Sequence, residues 1–518
     1  MYLITSAAYV SQEIKNEIGN LPPSFLPIKN QRLYVHQLNS LPEEEEVFLT
    51  IPQDYYLDEF DSYCLINSGI NIIRVPNNLS LGLSISYAVN MIGRYDESIK
   101  ILHGDTLILD LPISVENDFF AVANPDDNYD WTFLEEGYDP EIVYAGYFSF
   151  NDVKKFLKYL VRCEHNFISA INLYRIENET DLYKVNEWYD FGHINTYYRS
   201  KASMPSVRHF NSMKIDSKIV SKTSVNNNKI LAEFRWFEQV PSQIKYYLPQ
   251  LVSTRDDENS AYYELEYLYL IGLNELFVFG KQPLFIWNKI FKSCHEFLLK
   301  VNTFKPERIS NYLNNDIYLN KTNIRIDEFL ASNPMYIAPL SYKGNSIGTL
   351  KEIAIESARY ICLPDDLCIS VVHGDFCFSN ILFDFRRQDI KLIDPRGINS
   401  EGDFDIYGDL RYDYAKFGHS IIGLYDMIIA ERYFLEEENF DFMISFPNIS
   451  EIRIIQRAFL SEFFESDTLV KNKKFLLAAM IHLFLSMLPL HKDSKKRQKA
   501  FIANSLRLFV ELKELEKS

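Results

Sequence analysis

Residues 371–397 read VVHGDFCFSNILFDFRRQDIKLIDPRG, so polar groups stand here between runs of Val, Ile, Leu and Phe. Apolar runs of this length are typical of buried strands. A carboxylate beside a buried strand is costly unless a metal ion or another partner compensates its charge. Two interpretations follow: Asp375 and Asn380 only supply turn chemistry to a hairpin, or the stretch forms a site for a metal ion and a nucleotide.

The spacing of three polar residues favours the second interpretation. Phosphoryl transfer needs a carboxylate that orients an attacking hydroxyl and accepts its proton, and oxygen ligands that hold Mg²⁺ on the nucleotide phosphates. Asp375 lies on a predicted turn, Asn380 follows five residues later, and Asp394 comes after the next apolar run. Together they supply the parts that this chemistry requires.

The pattern HGDxxxxN followed by IDxxG resembles the aminoglycoside phosphotransferase and choline kinase family, which has a protein-kinase-like fold. The resemblance implies that Asp375 is the catalytic base and that Asn380 and Asp394 are the metal ligands. It also implies that His373 supports the geometry of the loop. The cofactors implied are ATP and Mg²⁺.

An upstream lobe completes this resemblance. In the family, a strand lysine contacts the nucleotide phosphates and a helix glutamate holds that lysine. KIVSKTS (218–224) predicts a strand and NNNKILAEFRWFEQVP (226–241) predicts a helix. Lys222 and Glu233 are therefore the expected pair, with Lys229 as the alternative lysine. The alternative is that Lys222 and Glu233 have no functional role and are an ordinary exposed lysine on a strand and an ordinary glutamate on a helix.

Other segments fit the resemblance less completely. YYELEYLYLIGLNELF (262–277) resembles the hinge whose backbone meets the adenine in this family. RHFNSMKID (208–216) occupies the place of the Gly-rich loop but contains no glycine. Arg396 is a weak candidate for a phosphate contact. Four charged residues downstream either line the acceptor pocket or anchor a helix to the catalytic loop, and the anchoring role is favoured for Asp413. These four are Asp409, Arg411, Asp413 and Lys416.

The first 200 residues resemble sugar-phosphate nucleotidyltransferases. The resemblance rests on a series of segments that occur in the order expected for that family rather than on any single motif. The series is LPPSFLPIKNQRLYVHQL (21–38), VPNNLSLGLSISYAVN (75–90), LHGDTLIL (102–109), YAGYFSF (144–150) and EWYDFGHINTYY (187–198).

This second resemblance implies that Asp105 and Asp190 hold a Mg²⁺ ion that bridges a nucleotide and a sugar phosphate. CTP or another nucleoside triphosphate is the implied nucleotide. The family's GxGxR loop is replaced by SAAYVSQEIKNEIGNLPP (6–23), which has no Gly-x-Gly. Without that loop, nucleotide transfer by this domain would use a cation from elsewhere in the chain, or the domain would not catalyse it. The candidate cations are Lys29, Arg32 and Lys201.

Composition limits the other possibilities. The formal charge of −18 argues against a general nucleic-acid or anionic-membrane surface, because either needs a basic face. The six cysteines form no CxxC pair, so free thiols in a reducing cytoplasm are expected. The N-terminus lacks the pattern of a secretory signal. The apolar segment FLLAAMIHLFLSMLPL (475–490) falls short of a bilayer span, and a buried helix is expected there.

The predicted fold class is α/β, with a change of sequence texture near residue 204. Short apolar strands alternate with helical stretches before it, which predicts a mostly parallel sheet. We expect a Rossmann-like, GT-A-type nucleotidyltransferase-like domain at 1–203. A protein-kinase-like α+β domain follows at 204–518, with a small lobe at 204–275 and a helical large lobe at 276–518.

Taken together, the two resemblances imply a bifunctional, Mg²⁺-dependent enzyme. The kinase would phosphorylate a sugar or small alcohol, and the nucleotidyltransferase would activate the product as an NDP derivative for bacterial capsule or lipopolysaccharide synthesis. The alternative is a kinase whose front domain only binds or regulates, and a scaffold of two inactive folds is disfavoured. Expected partners are small molecules and nucleotides, without nucleic acid or membrane insertion.

Overall fold

The computed structural model divides the chain into two compact units. The first comprises Met1–Met204 with Phe279–Lys281, and the second comprises Pro205–Val278 with Gln282–Ser518. The residues that the structure describes are 1–113, 115, 117–125, 142–204, 211–215, 218–224, 227–257, 260–309, 312, 318–399, 401–464 and 472–517.

The described part of the first unit is built on a seven-stranded sheet with the order β10-β8-β9-β6-β1-β4-β5. Neighbouring strands are parallel except at β9, which is antiparallel to both β6 and β8. The prediction of a mostly parallel sheet is thus confirmed. The strands are β1 Tyr2–Thr5, β2 Pro27–Ile28, β3 Gln31–Arg32, β4 Val47–Pro52, β5 Asn71–Val75, β6 Ile99–His103, β7 Thr106–Ile108, β8 Phe119–Ala123, β9 Val143–Phe150, β10 Asp181–Lys184 and β11 Trp188–Asp190.

Helices follow the strands of this unit along the chain. The central strands are buried throughout their length, which is typical of a sheet covered on both faces. Aromatic rings fill the core, as where Phe150 stacks on Phe156 with ring centroids 4.0 Å apart. The helices are α1 Gln12–Ile18, α2 Leu33–Asn39, α3 Glu59–Asn67, α4 Leu81–Ile92, α5 Val153–Arg162, α6 Phe167–Asn178 and α7 Ile194–Ser203.

The second unit begins with a four-stranded antiparallel sheet of order β12-β13-β15-β14, against which one helix, α8, packs. Short strands then form a hairpin (β20, β21), a pair (β19, β22) and a second four-stranded sheet (β18-β17-β24-β23). The strands are β12 Asn211–Ile215, β13 Ile219–Ser224, β14 Leu251–Asp257, β15 Ser260–Glu266, β16 Ile271–Gly272, β17 Leu340–Tyr342, β18 Asn345–Gly348, β19 Ile369–Val371, β20 Ile381–Asp384, β21 Asp389–Leu392, β22 Tyr407–Asp409, β23 Phe434–Glu438 and β24 Asp441–Ser445.

The rest of the second unit is mainly helical, so a small strand-rich lobe precedes a helical lobe, as a protein-kinase-like domain requires. The prediction that the segment at 475–490 falls short of a bilayer span was wrong, because the span Lys473–His491 is apolar and long enough to cross one. However, 72% of its apolar window is buried inside the protein, which is typical of a core helix. The helices are α8 Asn227–Gln239, α9 Leu273–Phe279, α10 Leu284–Val301, α11 Leu319–Ser332, α12 Leu350–Ala358, α13 Arg411–Ile421, α14 Tyr425–Ile429, α15 Ile449–Phe464, α16 Lys473–Met487 and α17 Lys495–Lys517.

Candidate active site

The loop after β19 is held in one conformation by His373. This imidazole is fully buried, and burial lowers its pKa to about 4, so the ring is neutral. Its Nε2 lies 3.1 Å from the carbonyl oxygen of Ile393, and its Nδ1 lies 3.3 Å from the backbone nitrogen of Asp375. A carbonyl only accepts and a backbone N–H only donates, so Nε2 carries the proton. Both ring nitrogens of His373 thus contact backbone atoms of this segment, and a role in supporting a catalytic loop stays a prediction.

Glycine is required at the turn of this loop. Gly374 has a φ of +76°, in the left-handed region, and a Cβ there would lie 2.7 Å from the Cβ of Arg396. Any other residue would therefore be strained and would displace the IDPRG segment. The tight turn aims the backbone N–H groups of His373 and Gly374 at a single carboxylate on α13.

That carboxylate is Asp413, which accepts hydrogen bonds from the backbone N–H of His373 (2.7 Å) and of Gly374 (2.8 Å). Asp413 is fully buried, and burial raises its pKa to about 7. A carboxylate with both oxygens bound to backbone amides anchors the catalytic loop and does not face an acceptor molecule. The favoured anchoring role thus agrees with the geometry.

Asp375 is charged and partly accessible. Its Oδ1 lies 2.7 Å from the ammonium of Lys416, and its Oδ2 accepts a hydrogen bond of 2.9 Å from the Nδ2 of Asn380. Burial alone would raise the pKa of Asp375, but the charge and hydrogen bond of Lys416 outweigh it, so the pKa lies below its usual range. The side chain is 39% exposed. An ionised, accessible carboxylate is what a proton acceptor requires.

Two side chains provide oxygen atoms suited to Mg²⁺. The Nδ2 of Asn380 donates to both the backbone oxygen and Oδ2 of Asp375, which fixes the amide and leaves its Oδ1 as an acceptor. Asp394 has a φ of +57°, and its side chain is 36% exposed. Amide and carboxylate oxygens are the donors that Mg²⁺ prefers. The donor set therefore fits a magnesium ion that phosphate oxygens and water would complete.

Lys222 on β13 connects the two lobes of this unit. Its ammonium lies 2.6 Å from Oε2 of Glu233 on α8 and 2.9 Å from Oδ1 of Asp394. Burial lowers the pKa of Lys222, but the charges of Asp394 and Glu233 outweigh it and the pKa is raised. Tyr263 donates to the same Glu233 oxygen at 2.7 Å. The structure thus brings together the lysine, the glutamate and the proposed metal ligand.

The alternative lysine occupies a different environment. Lys229 is half exposed, and its ammonium lies 3.7 Å from Oε1 of Glu233, four residues further along α8. Only the lysine of this pair is exposed, because the side chain of Glu233 is buried. A pair at this spacing stabilises an isolated helix by only about 0.2–0.5 kcal/mol. The buried position of Lys222 between two carboxylates therefore favours it as the phosphate-binding lysine.

Three contacts of this site were not expected from the sequence. Gly397 has a φ of +62°, and a Cβ there would lie 2.2 Å from the carbonyl oxygen of Ala232, so the IDPRG segment packs directly on α8. Trp236 donates from Nε1 to the oxygen of Val372 at 2.8 Å. The third contact is that of Lys416 with Asp375. The spacing of Asp413 and Lys416, three residues apart on a helix, places both side chains on one face, but it does not show that the loop lies against that face.

Two further charged residues near the site, Arg411 and Asp409, are structural. Arg411 forms a buried ion pair of 2.8 Å with Asp409 and donates to the oxygen of Cys362 at 3.1 Å. The guanidinium of Arg396 lies 6.0 Å from the ring centroid of Tyr412. Arg411 and Asp409 therefore anchor α13. A phosphate contact of Arg396 stays a prediction.

The predicted hinge and the segment in the place of the Gly-rich loop both lie in the second unit. The hinge segment runs from β15 through β16 into α9, and the N–H of Tyr267 donates to the oxygen of Lys218 at 2.7 Å. A backbone contact with adenine stays a prediction. The segment at 208–216 lies partly outside the described residues, and its described part forms β12.

The first unit places its two predicted metal ligands side by side. The antiparallel pairing of β11 with β7 sets Asp190 opposite Thr106, the residue after Asp105. A Cβ at Gly192 would lie 2.8 Å from Oδ2 of Asp105 and 3.5 Å from Oδ1 of Asp190. Both carboxylates therefore lie around one point.

The electrostatics of this pair fit a cation. Burial, followed by the charge of Asp105, raises the pKa of Asp190 to about 7. Within the described residues, the Oδ2 of Asp190 is buried and has no hydrogen-bond partner. Two adjacent carboxylates repel each other unless a proton or metal ion lies between them. The donor chemistry and the unpartnered oxygen thus fit a divalent cation. In the described part of the chain, no group of three or more His, Cys, Asp or Glu side chains is placed so that it could hold a metal ion.

The three cations proposed to replace the glycine-rich loop have other contacts. Arg32 is buried, pairs with Asp61 at 3.2 Å and donates to the oxygen of Phe25 at 2.7 Å, so it is a structural residue. Lys29 donates to the oxygen of Met204 at 2.7 Å, and burial lowers its pKa to about 8. The ammonium of Lys201 lies 5.7 Å from the ring centroid of Tyr197.

Hydroxyl groups of two serines connect two loops of the first unit. The Oγ of Ser6 accepts from the N–H of Ser24 at 3.0 Å, and the Oγ of Ser24 donates to the oxygen of Gly104 at 3.1 Å. The loop after β1 is thereby joined to the loop that carries Asp105.

Comparison with known proteins returned matches among solved structures only. No protein-family model matches the chain, and no curated protein matches it. A Bacillus anthracis protein described as a glucose-1-phosphate thymidylyltransferase, in complex with sucrose, is similar at 12% identity and a TM-score of 0.31, covering 40% of this chain and 97% of its own.

Aminoglycoside phosphotransferases also match. The type VIII aminoglycoside-3′-phosphotransferase covers 56% of this chain and 99% of its own, at 15% identity and a TM-score of 0.32. A thermostable mutant of aminoglycoside phosphotransferase APH(4)-Ia, in a ternary complex with AMP-PNP and hygromycin B, covers 60% and 92%, at 11% identity and a TM-score of 0.38. Both families that the sequence resembles are thus present among these structures.

Proposed function

We propose that the second unit is an ATP-dependent phosphotransferase that acts on the hydroxyl group of a small molecule. The observation that carries the proposal is the position of Lys222, whose ammonium lies between Glu233 and Asp394 at 2.6 and 2.9 Å. This arrangement provides a fixed positive charge for nucleotide phosphates beside a metal-binding carboxylate. Ionised Asp375 provides the proton acceptor.

In this proposal, Asp375 orients the acceptor hydroxyl and takes its proton. The hydroxyl oxygen forms a bond to the γ-phosphorus of ATP, the bond from that phosphorus to the β–γ bridging oxygen breaks, and ADP leaves. Asn380 and Asp394 would hold Mg²⁺, which neutralises charge on the phosphates. Lys416 keeps Asp375 ionised, while His373 and Asp413 hold the loop in place.

We further propose that the first unit is a nucleotidyltransferase, with Asp105 and Asp190 as its metal ligands. The convergence of the two carboxylates on the point near Gly192 supports this role. A sugar phosphate or alcohol phosphate made by the second unit would react here with CTP or another nucleoside triphosphate. The phosphate oxygen would attack the α-phosphorus, and pyrophosphate would leave. The product would be an NDP-activated precursor for bacterial surface glycans, made in the cytoplasm.

A second candidate is a kinase whose first unit binds or regulates without catalysis. Burial of Arg32 in its pair with Asp61, together with the Ser6–Ser24 contact in place of a glycine-rich loop, favours this candidate. Glycines let backbone N–H groups approach phosphates, and neither feature replaces them.

A two-stage assay distinguishes the candidates. Purified protein is incubated with Mg-ATP and a panel of sugars, polyols, choline and ethanolamine, while ADP release and product mass are followed. Each phosphorylated product is then incubated with CTP, GTP, UTP or ATP, and pyrophosphate is measured. ADP release followed by pyrophosphate release supports two activities. ADP release without pyrophosphate release supports the second candidate. ADP release that is the same with and without every acceptor of the panel contradicts the kinase proposal.

A further inference from the structure

The helical lobe of the second unit contains a cavity of about 410 Å³ that is separate from the candidate active site. It lies between α15, the start of α16 and α17, beside the turn that follows α13. Four of the side chains that line it are cationic and one is anionic. They are Arg453, Arg457, Lys473, Arg507 and Glu511.

Two of the cations are fixed by the protein. Arg507 donates from Nε to Oδ1 of Asn504 at 2.7 Å and from Nη2 to the oxygen of Ile422 at 3.0 Å. Lys473 lies 3.1 Å from Oε1 of Glu511, and Arg507 lies 3.9 Å from the other oxygen of the same carboxylate. One carboxylate thus serves two cations, and the guanidinium is held in a defined orientation.

The other two cations have no charge partner. Arg453 and Arg457 lie four residues apart on α15, and neither forms an ion pair or hydrogen bond with any residue in the described ranges. Like charges at this spacing destabilise a helix. The cavity thus has an excess of positive charge within a chain whose formal charge is −18. An anionic ligand would relieve this repulsion.

We infer that this cavity is a second binding site, for a small organic molecule that carries a phosphate group. Guanidinium groups bind phosphate through two parallel N–H donors, and three of them line the cavity. The apolar side chains of Ile422 and Leu460 also line it and provide contact for the organic part of the ligand. The volume falls within the range of about 300–1,000 Å³ that is typical of small-molecule sites.

The site lies at the opposite end of the helix that supports the catalytic loop. Asp413 and Lys416 occupy the first half of α13, whereas the oxygens of Ile421 and Ile422 at its end accept hydrogen bonds from Gln456 and Arg507. Ile422 lies six positions after Lys416, which is about 9 Å along a helix. The cavity therefore adds a site beyond those of the proposed function, and it does not require catalysis by either unit.

Isothermal titration calorimetry of the full-length protein tests this inference. The titrations use the Asp394→Ala variant, because this substitution removes a metal ligand from the proposed kinase site. The titrants are inorganic phosphate, pyrophosphate, hexose phosphates, nucleoside monophosphates and the corresponding sugars and nucleosides without phosphate. We expect at least one phosphate ester to bind more tightly than inorganic phosphate. The phosphate-free compounds should not bind, and affinity should fall as salt concentration rises.

Substitutions locate the binding. Arg453→Gln and Arg457→Gln change exposed side chains without partners in the structure's described residues, so each variant should fold, which circular dichroism checks. Each should weaken binding of the ester by about tenfold or more, because a charge-assisted hydrogen bond is lost. Arg359→Gln is the control at an exposed arginine elsewhere in the unit, and it should leave binding of the ester unchanged. Equal affinity in all three variants, or an ester that binds no better than inorganic phosphate, would overturn the inference. Because the readout is binding, it stands apart from any failure of the kinase assay.

Discussion

The two candidate sites differ in how their charges are compensated. In the second unit, each central charged group has an opposite charge close by: Lys222 lies between Glu233 and Asp394, and Asp375 pairs with Lys416 at 2.7 Å. In the first unit, Asp105 and Asp190 face each other, and the pKa of Asp190 is raised to about 7 by burial and by its neighbour.

This difference shows what each site needs from its ligands. The kinase-like site has its charges in place before nucleotide or metal binds, and such preorganisation is a main source of electrostatic catalysis. The two carboxylates of the first unit are stable as a charged pair only when a cation joins them. We therefore expect substitutions in the second unit to affect turnover and intrinsic stability, and those in the first unit to affect the response to metal ions.

The largest effect is expected from Asp375→Asn. The variant keeps the shape of the side chain and removes the proton acceptor, so phosphotransfer should fall by about 10²–10⁴-fold. Nucleotide affinity should be unchanged, because Lys222, Asn380 and Asp394 remain. Steady-state ADP release and nucleotide titration measure the two quantities. Asp366→Asn, at an exposed aspartate of the same unit, is the control. Full activity in Asp375→Asn would exclude its role as the base.

Lys222→Met tests the buried ion pair. Glu233 would lose its buried cation, and removal of one partner of a buried pair costs about 3–5 kcal/mol in unfolding free energy. The double variant Lys222→Met/Glu233→Gln should recover most of this stability. Phosphotransfer should be lost in the single variant and in the double variant, because both lack the lysine. Chemical denaturation and ADP release measure both properties.

Lys229→Met is the matched control for this experiment, because its side chain is half exposed. Its stability should change by no more than about 0.5 kcal/mol. Loss of phosphotransfer in Lys229→Met with retention in Lys222→Met would reverse the assignment of the phosphate-binding lysine.

Asp190→Asn tests the first unit through its response to Mg²⁺. A ligand at 100 times its Kd stabilises the state that binds it by about 2.7 kcal/mol, so the wild-type unit should melt at a higher temperature with Mg²⁺. Asp190→Asn should remove this increase, whereas Asp181→Asn, at an exposed strand position, should retain it. Differential scanning calorimetry of the full chain measures the transition. An undiminished Mg²⁺ response in Asp190→Asn would argue against its role as a ligand.

The smallest expected effect is a displaced pH profile in Lys416→Met. Lys416 lowers the pKa of Asp375 against the opposing effect of burial. Without it, the pKa of Asp375 should rise, so the acidic limb of kcat/KM against pH should move to higher pH. At high pH, where the carboxylate is ionised in both proteins, the rates should converge towards each other. An unmoved acidic limb would show that Lys416 does not control this ionisation.

The sequence was most informative where short spacing determines geometry. HGDxxxxN places Asp375 and Asn380 within one loop. The family resemblance, applied to the predicted strand and helix, implied Lys222 and Glu233, which the structure brings to 2.6 Å. The mostly parallel sheet followed from the alternation of strands and helices. These features depend on residues near each other in the chain or on hydrophobic periodicity.

Features that depend on tertiary packing were not predictable to the same degree. The pairing of Lys416 with Asp375 requires α13 to lie beneath the loop. The burial of Arg32, on β3, depends on the position of Asp61 on α3. The antiparallel direction of β9 is likewise set by its two neighbours in the sheet. Long-range contacts of this kind leave no periodic signal in a single sequence.

The most direct test of two separate active sites is a crossed measurement on one panel of proteins. ADP release and pyrophosphate release are recorded for the wild type, Asp375→Asn and Asp190→Asn. ADP release is measured with an acceptor that the screen has identified, and pyrophosphate release is measured with the phosphorylated product of that acceptor. We predict that Asp375→Asn loses ADP release and keeps pyrophosphate release, and that Asp190→Asn loses pyrophosphate release and keeps ADP release. Loss of both reactions in either variant, or of neither, would contradict it.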